Sequence, residues 1–124
     1  MPASQFHLPT TIVTERGGLV RAGALLPPGA PRVLVVTGAA SARRHGHLGR
    51  LLGSLDHAGA HCATFEGVEE NPAIDTVDRG ALRAREFGAT AVVGLGGGSA
   101  LDAAKAIAVC AATGMGVRDV LAAQ

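Results

Sequence analysis

The stretch VVGLGGGSALDAAK, residues 92–105, indicates the fold of this 124-residue chain. It begins with a short apolar run, passes through three consecutive glycines and continues into an alanine-rich segment. A continuous apolar run of this kind is typical of a strand that is buried on both faces of a parallel sheet. Because glycine has no Cβ, the backbone after such a strand can turn sharply and approach a ligand closely. The stretch therefore predicts a buried strand, a tight turn and a helix.

The same succession of strand and helix extends through the rest of the chain. Apolar β-prone runs predict strands at residues 10–14, 32–37, 61–65 and 90–95. Apolar residues at helical spacing predict helices at 18–26, 42–58 and 73–87, with a last helix that runs from the glycines to about residue 112. Strands that alternate with helices imply an α/β fold with a doubly wound, Rossmann-like parallel sheet. We expect residues 1–124 to form one domain.

Composition and charge exclude several classes of function. Eleven basic and ten acidic residues leave a formal net charge of +1, which gives no electrostatic basis for a nucleic-acid partner or an anionic membrane surface. No apolar run reaches the roughly 18 residues of a membrane span, and no signal peptide is visible. The two cysteines, Cys62 and Cys110, lack CxxC spacing and are interpreted as reduced thiols in a cytoplasmic protein.

The glycine turn has the properties of an anion site. Free N–H groups of the first helical turn, together with the helix dipole, favour a diphosphate at the carboxyl end of the preceding strand. Two structural interpretations stay open beside this one. Ser99 and Asp102 have the spacing of a capping box, which is compatible with binding, and the glycines could serve only close packing of strand on helix. The usual dinucleotide fingerprint and the Walker loop are both absent.

Residues 96–105, GGGSxxDxxK, resemble the cofactor signature of the iron-containing (group III) alcohol dehydrogenases. Residues 6–10, the strand at 33–37 and the turn Glu70-Asn71-Pro72 also resemble that family. The resemblance implies a dehydroquinate synthase-like N-terminal domain that binds NAD or NADP. In the complete enzyme it implies hydride transfer between the nicotinamide and a small alcohol or aldehyde. The end of the chain is interpreted as a truncation before a second, helical domain.

The resemblance also implies roles for individual residues. Gly97, Gly98 and Ser99 would contact the cofactor diphosphate, and Asp102 would lie toward the nicotinamide ribose. Asn71 would approach the cofactor from the neighbouring loop. No residue of this chain is assigned a catalytic role.

Metal binding is expected outside this chain. The resemblance places the iron or zinc ligands in the later helical domain. The five histidines of the chain lack the converging spacing of a metal site and are interpreted as solvated residues: His7, His45, His47, His57 and His61.

The residue after the second strand bears on the choice of cofactor. Family members that use NAD often carry Asp there, whereas this chain has Gly38. A carboxylate would bond the ribose 2′-hydroxyl and repel a 2′-phosphate, so glycine removes that repulsion. Ser41, Arg43 and Arg44 follow and could bind the phosphate. The pattern favours NADP over NAD. In the alternative interpretation, Arg43 and Arg44 are ordinary solvated helix residues.

Other functions stay open beside the dehydrogenase. One is a metal-free enzyme of the maleylacetate reductase type, which the presence of Asp102 disfavours. Others are a non-catalytic dinucleotide-binding remnant and a structural domain without a ligand. A homodimer is one expected assembly.

Overall fold

The computed structural model describes residues 10–12, 29, 31–38 and 46–114. Its strands are β1 (Thr10–Ile12), β2 (Arg32–Thr37), β3 (His61–Phe65) and β4 (Ala91–Leu95). Its helices are α1 (His47–His57), α2 (Ile74–Phe87) and α3 (Gly98–Thr113). The predicted helix 18–26 and the predicted start of the helix 42–58 lie outside the described residues. Within those residues, no helix is long and apolar enough to cross a membrane.

The four strands form one parallel sheet in the order β1-β4-β2-β3. The chain therefore passes from β2 to its neighbour β3 and then crosses back to the other side of β2 to form β4. The strand order reverses between β2 and β4, and ligands of open α/β sheets bind at such a reversal, beyond the carboxyl ends of the strands. The predicted α/β fold with a parallel, Rossmann-like sheet is confirmed, and the sheet order defines where its ligand crevice lies.

Helices cover both faces of the sheet. On β2, Val33 and Val35 point to one face and pack in a cluster that contains the α1 leucines. Leu34 and Val36 point to the opposite face and pack in a cluster with residues of α2 and α3. All four side chains of this strand segment are fully buried. A strand buried on both faces needs apolar residues at every position, which explains the continuous run in the sequence.

Arg32 fixes the start of β4 beside the start of β2. Its Nε donates to the carbonyl oxygen of Phe87 at 2.8 Å, and its guanidinium lies 4.3 Å from the centre of the Phe87 ring. The backbone N–H of Thr90 donates to the Arg32 carbonyl at 2.7 Å, and the Arg32 N–H donates to the Thr90 hydroxyl at 3.0 Å. These contacts set the register in which Thr37 stands beside Leu95 at the opposite end of the strands.

Candidate functional site

A cleft of about 380 Å³ lies at the carboxyl ends of β2 and β4. Three chain segments form it: the residue after β2, the loop after β3, and the glycine turn with the start of α3. The lining residues are Gly38, Val68, Glu69, Glu70, Asn71, Gly96, Gly97, Gly98, Ser99 and Ala100. The cleft therefore occupies the crevice that the reversal of strand order creates.

The glycines around this turn divide into two groups. A Cβ on Gly94 would lie 2.9 Å from the Cβ of Ala104, closer than real side chains approach. Gly96 has φ +137°, and its Cβ would lie 3.2 Å from the Cβ of Ala100. A Cβ on Gly97 or Gly98 would have no atom of the described residues within 4 Å. Close packing thus explains the first two glycines, whereas the fold leaves open space at Gly97 and Gly98.

Helix α3 presents to the cleft backbone donors that have no partner among the described residues. Its first intrahelical bond runs from the Leu101 N–H to the Gly97 carbonyl at 3.1 Å, so the N–H groups of Gly98, Ser99 and Ala100 precede the helical ladder. No acidic side chain lies in the first turn. The first turn itself therefore carries no negative charge that offsets the positive end of the helix dipole, which favours a bound anion, while Glu69 and Glu70 of the neighbouring loop also line the cleft.

The predicted capping box of Ser99 and Asp102 is wrong. The helix begins at Gly98 with Gly97 as its N-cap, and no side chain caps it. Ser99 lies inside the first turn rather than before it, because the backbone already turns into the helix at the glycines. The Ser99 hydroxyl is consequently available to the cleft, and the sequence spacing S-x-x-D does not mark the helix start in this chain.

The loop after β3 brings Asn71 to the start of α3. Its N–H donates to Ser99 Oγ across 3.4 Å, and its φ of 52° lies in the left-handed region. The loop is anchored on the end of β2, where the N–H groups of Gly67 and Val68 donate to the carbonyls of Gly38 and Thr37, each at 3.0 Å. The backbone amide of Asn71 thus lies at the cleft, 28 residues before its partner.

Glu69 is a site residue that sequence analysis missed. Its carboxylate oxygens lie 3.0 and 2.9 Å from the Thr76 hydroxyl, which donates to them, and the Ala73 N–H donates to Oε2 at 3.5 Å. Glu69 is exposed, yet its carboxylate is held by these hydrogen bonds within the loop. Glu69 stands four residues before the N-cap Ala73, a spacing outside the usual capping patterns, so no sequence signal identifies it.

The pKa of Glu69 lies below its ordinary value of 4.5, first because its own backbone N–H and then because the Thr76 hydroxyl bonds the carboxylate. A lowered pKa stabilises the folded protein above the ordinary pKa, and that gain is lost as pH falls through the folded value. The wild-type protein should therefore have a higher melting temperature than a Glu69→Gln variant at neutral pH, and the two melting temperatures should converge in acid. Thermal melting from about pH 3 to pH 7 checks this. A difference that stays constant with pH would contradict it.

Gly38 has room for a side chain. It follows β2, is half-buried, and its φ lies outside the left-handed region. A Cβ there would lie 3.7 Å from the Ala100 Cβ and 3.8 Å from the Val68 carbonyl oxygen, both ordinary van der Waals contacts. Packing does not require glycine at this position, so its identity bears on what the cleft accommodates.

The structure brings together five of the seven predicted site residues: Gly38, Asn71, Gly97, Gly98 and Ser99. Asp102 is exposed on α3 and does not line this cleft. Ser41 lies outside the described residues, as do Arg43 and Arg44.

The described residues offer no metal centre. Within 10–12, 29, 31–38 and 46–114, no group of three or more His, Cys, Asp or Glu side chains could hold an ion. The two thiols are free, and Cys62 is only partly buried. Burial raises the pKa of both Cys62 and Cys110, with nearby Asp56 and Asp78 acting in the same direction, so neither favours a thiolate.

Comparison with known proteins gives a consistent result. A family model described as iron-containing alcohol dehydrogenase matches residues 9–124. The chain is 36% identical over 103 residues to an NADPH-dependent butanol dehydrogenase of Clostridium saccharobutylicum, covering 83% of this chain and 26% of that protein. It is 35% identical over 105 residues to the NADPH-dependent aldehyde reductase YqhD of Escherichia coli, covering 85% of this chain and 26% of the reductase.

Solved structures agree with the sequence relatives. The NADH-dependent butanol dehydrogenase A of Thermotoga maritima superposes with a TM-score of 0.78 at 33% identity, covering 92% of this chain and 29% of that one. The chain thus spans about a quarter of the length of the relatives it matches. The sequence resemblance is confirmed by the match over residues 9–124: this chain belongs to the iron-containing alcohol dehydrogenase family.

Proposed function

We propose that the cleft binds the diphosphate of a nicotinamide dinucleotide. The chain would then be the cofactor-binding part of an NAD(P)-dependent alcohol dehydrogenase or aldehyde reductase. One observation supports this above the others: Gly97 and Gly98 lack a Cβ where the fold leaves open space. The N–H groups that precede the helical ladder of α3 lie at the same place, so an anion can approach the bare backbone directly.

In this proposal the bound nicotinamide supplies the ring that exchanges a hydride with an alcohol or carbonyl carbon. The protein contributes binding and orientation. The N–H groups of Gly98 and Ser99 hold phosphate oxygens, and the Ser99 hydroxyl adds a further donor. Holding the diphosphate on a rigid strand–helix junction restricts the rest of the cofactor, which reduces the entropy lost when the reacting atoms meet. Asp102, by resemblance, acts toward the nicotinamide ribose.

A metal fits none of the described residues, so no reaction step is assigned to one. By resemblance, iron or zinc is expected in the later helical domain of the family, outside this chain. The metal-free alternative of the maleylacetate reductase type predicts hydride transfer that survives a chelator, whereas the metal-assisted enzyme should lose it. A small alcohol or aldehyde substrate, a homodimer and a cytoplasmic location stay predictions.

NADP is the cofactor that Gly38 favours. Relatives are named for both cofactors: an NADPH-dependent butanol dehydrogenase and an NADH-dependent butanol dehydrogenase B. At Gly38 no carboxylate is present to repel a ribose 2′-phosphate, although the position has room for one. We infer that NADP binds more tightly than NAD to this cleft, with Ser41 as a further predicted contact.

Replacing Gly38 with Asp should reverse the preference. Titration calorimetry on the full chain should give a lower Kd for NADP than for NAD in the wild type. The Gly38→Asp variant should shift the ratio of the two Kd values at least tenfold toward NAD, since about 1.4 kcal/mol of carboxylate–phosphate repulsion suffices. Gly38→Asn, a neutral side chain of the same shape, separates charge from volume and should shift it much less. Failure of the wild type to bind either dinucleotide would overturn the proposed function.

A further inference from the structure

A connected set of hydrogen bonds joins the start of α2 to the start of α3. The Thr76 hydroxyl, on a side chain only 5% exposed, donates to the Glu69 carboxylate at 2.9 Å. The same carboxylate accepts from the Ala73 N–H at 3.5 Å. Between Glu69 and Ala73 lies Asn71, whose N–H donates to Ser99 Oγ. Glu69 therefore closes the loop segment that presents Asn71 to α3.

This closure restricts Asn71 from both sides. Before it, Val68 is buried and its N–H is bonded to the Thr37 carbonyl at 3.0 Å. After it, Thr76 on the first turn of α2 donates its hydroxyl to the Glu69 carboxylate and so ties the two ends of the loop together. Asn71 itself has φ 52°, a conformation that non-glycine residues adopt rarely and that the surrounding bonds must hold. The loop geometry at Asn71 therefore depends on the Glu69–Thr76 bond.

The contact of Asn71 with Ser99 determines what the Ser99 hydroxyl can do. A hydroxyl has one proton to donate and two lone pairs that accept. When Ser99 Oγ accepts from the Asn71 N–H, its own proton is free to donate to an anion at the start of α3. The N···O distance of 3.4 Å is longer than the usual range of about 2.7–3.2 Å. A small displacement of the loop would therefore break this contact.

We propose that Glu69 is a positioning residue for the dinucleotide site. Through Thr76 it holds the Asn71 amide against Ser99, so that the serine hydroxyl donates to a phosphate oxygen. This inference rests on the proposed function, and the experiment below separates the failure of one from the failure of the other.

The test replaces Thr76, which lies outside the cleft, by valine and by serine. Valine keeps the volume but removes the hydroxyl, whereas serine keeps the hydroxyl. We expect Thr76→Val to raise the Kd for NADP about three- to tenfold, the effect of losing one hydrogen bond of ordinary strength. Thr76→Ser should restore the wild-type Kd to within about twofold. If the wild type binds NADP and the Thr76→Val variant binds it equally tightly, the inference is overturned and the proposed function is left intact.

A double-mutant cycle distinguishes positioning from general loosening of the fold. If Glu69 and Thr76 act through Ser99, Thr76→Val should have no further effect on the Kd in a Ser99→Ala background. Equal effects in the two backgrounds would overturn the proposal. Should Thr76→Val fail to fold, Glu69→Gln at the exposed end of the same bond takes its place in the cycle with the same expected outcomes. A wild type that does not bind NADP contradicts the proposed function itself.

Discussion

A variant that carries both Gly97→Ala and Gly98→Ala is expected to bind NADP at least tenfold more weakly while its melting temperature does not fall. In the part of the chain that the structure describes, a Cβ at either position meets no atom within 4 Å, so the fold accommodates both. Neither glycine has a positive φ, and alanine restricts the unfolded chain more than glycine does. The added methyl groups instead occupy the space in which a diphosphate would approach the backbone. A tenfold loss corresponds to about 1.4 kcal/mol.

A matched control is present on the opposite face of the sheet. Gly49 and Gly53 lie exposed on α1, and a Cβ on either would also meet no described residue within 4 Å. Gly49→Ala with Gly53→Ala should stabilise the protein, by up to about 1 kcal/mol for each site, without changing the Kd. Calorimetric titration and thermal melting of both double variants make the comparison. Unchanged NADP affinity in the Gly97 and Gly98 variant would refute the assignment of the turn as the binding surface.

Gly94→Ala is expected to destabilise the protein by about 1–3 kcal/mol, the usual cost of overpacking a core. Its Cβ would lie 2.9 Å from the Ala104 Cβ and 3.2 Å from Leu101 Cδ2. Because Ala104 is fully buried and its Cβ is fixed to the backbone, α3 as a whole must move away from β4. Denaturation in urea measures the free energy of unfolding. An unchanged transition midpoint would contradict this account of the strand–helix contact.

Together the two predictions assign opposite roles to glycines only a few residues apart. Gly94 and Gly96 allow α3 to pack closely on the end of β4, so their replacement should lower stability first and binding only as a consequence. Gly97 and Gly98 leave space that no described residue fills, so their replacement should lower binding alone. In the sequence, these residues are simply glycines at the end of a strand and in the turn that follows it, and that pattern does not distinguish the two roles.

Much of the candidate site follows from local sequence. Residues 97–99 were predicted as anion contacts because the helix start and the missing Cβ atoms are local properties. Asn71 and Gly38 were implied by resemblance, and the structure places both in the cleft. Glu69 and Thr76 were missed because their bond spans seven residues and depends on how the loop folds back. The capping-box prediction was wrong because spacing alone does not define the residue at which the helix begins.

The sequence by itself determined the strands and helices in the described part of this protein. Hydrophobic periodicity is a property of neighbouring residues, and a strand such as Arg32–Thr37 carries it without reference to the rest of the chain. Only the tertiary structure decided that β4 lies beside β2, which brings Gly38, the loop at Asn71 and the turn at Gly97 to one crevice. Strand order depends on helices that pack on opposite faces of the sheet. Because that packing joins residues far apart in the chain, no local sequence pattern encodes it.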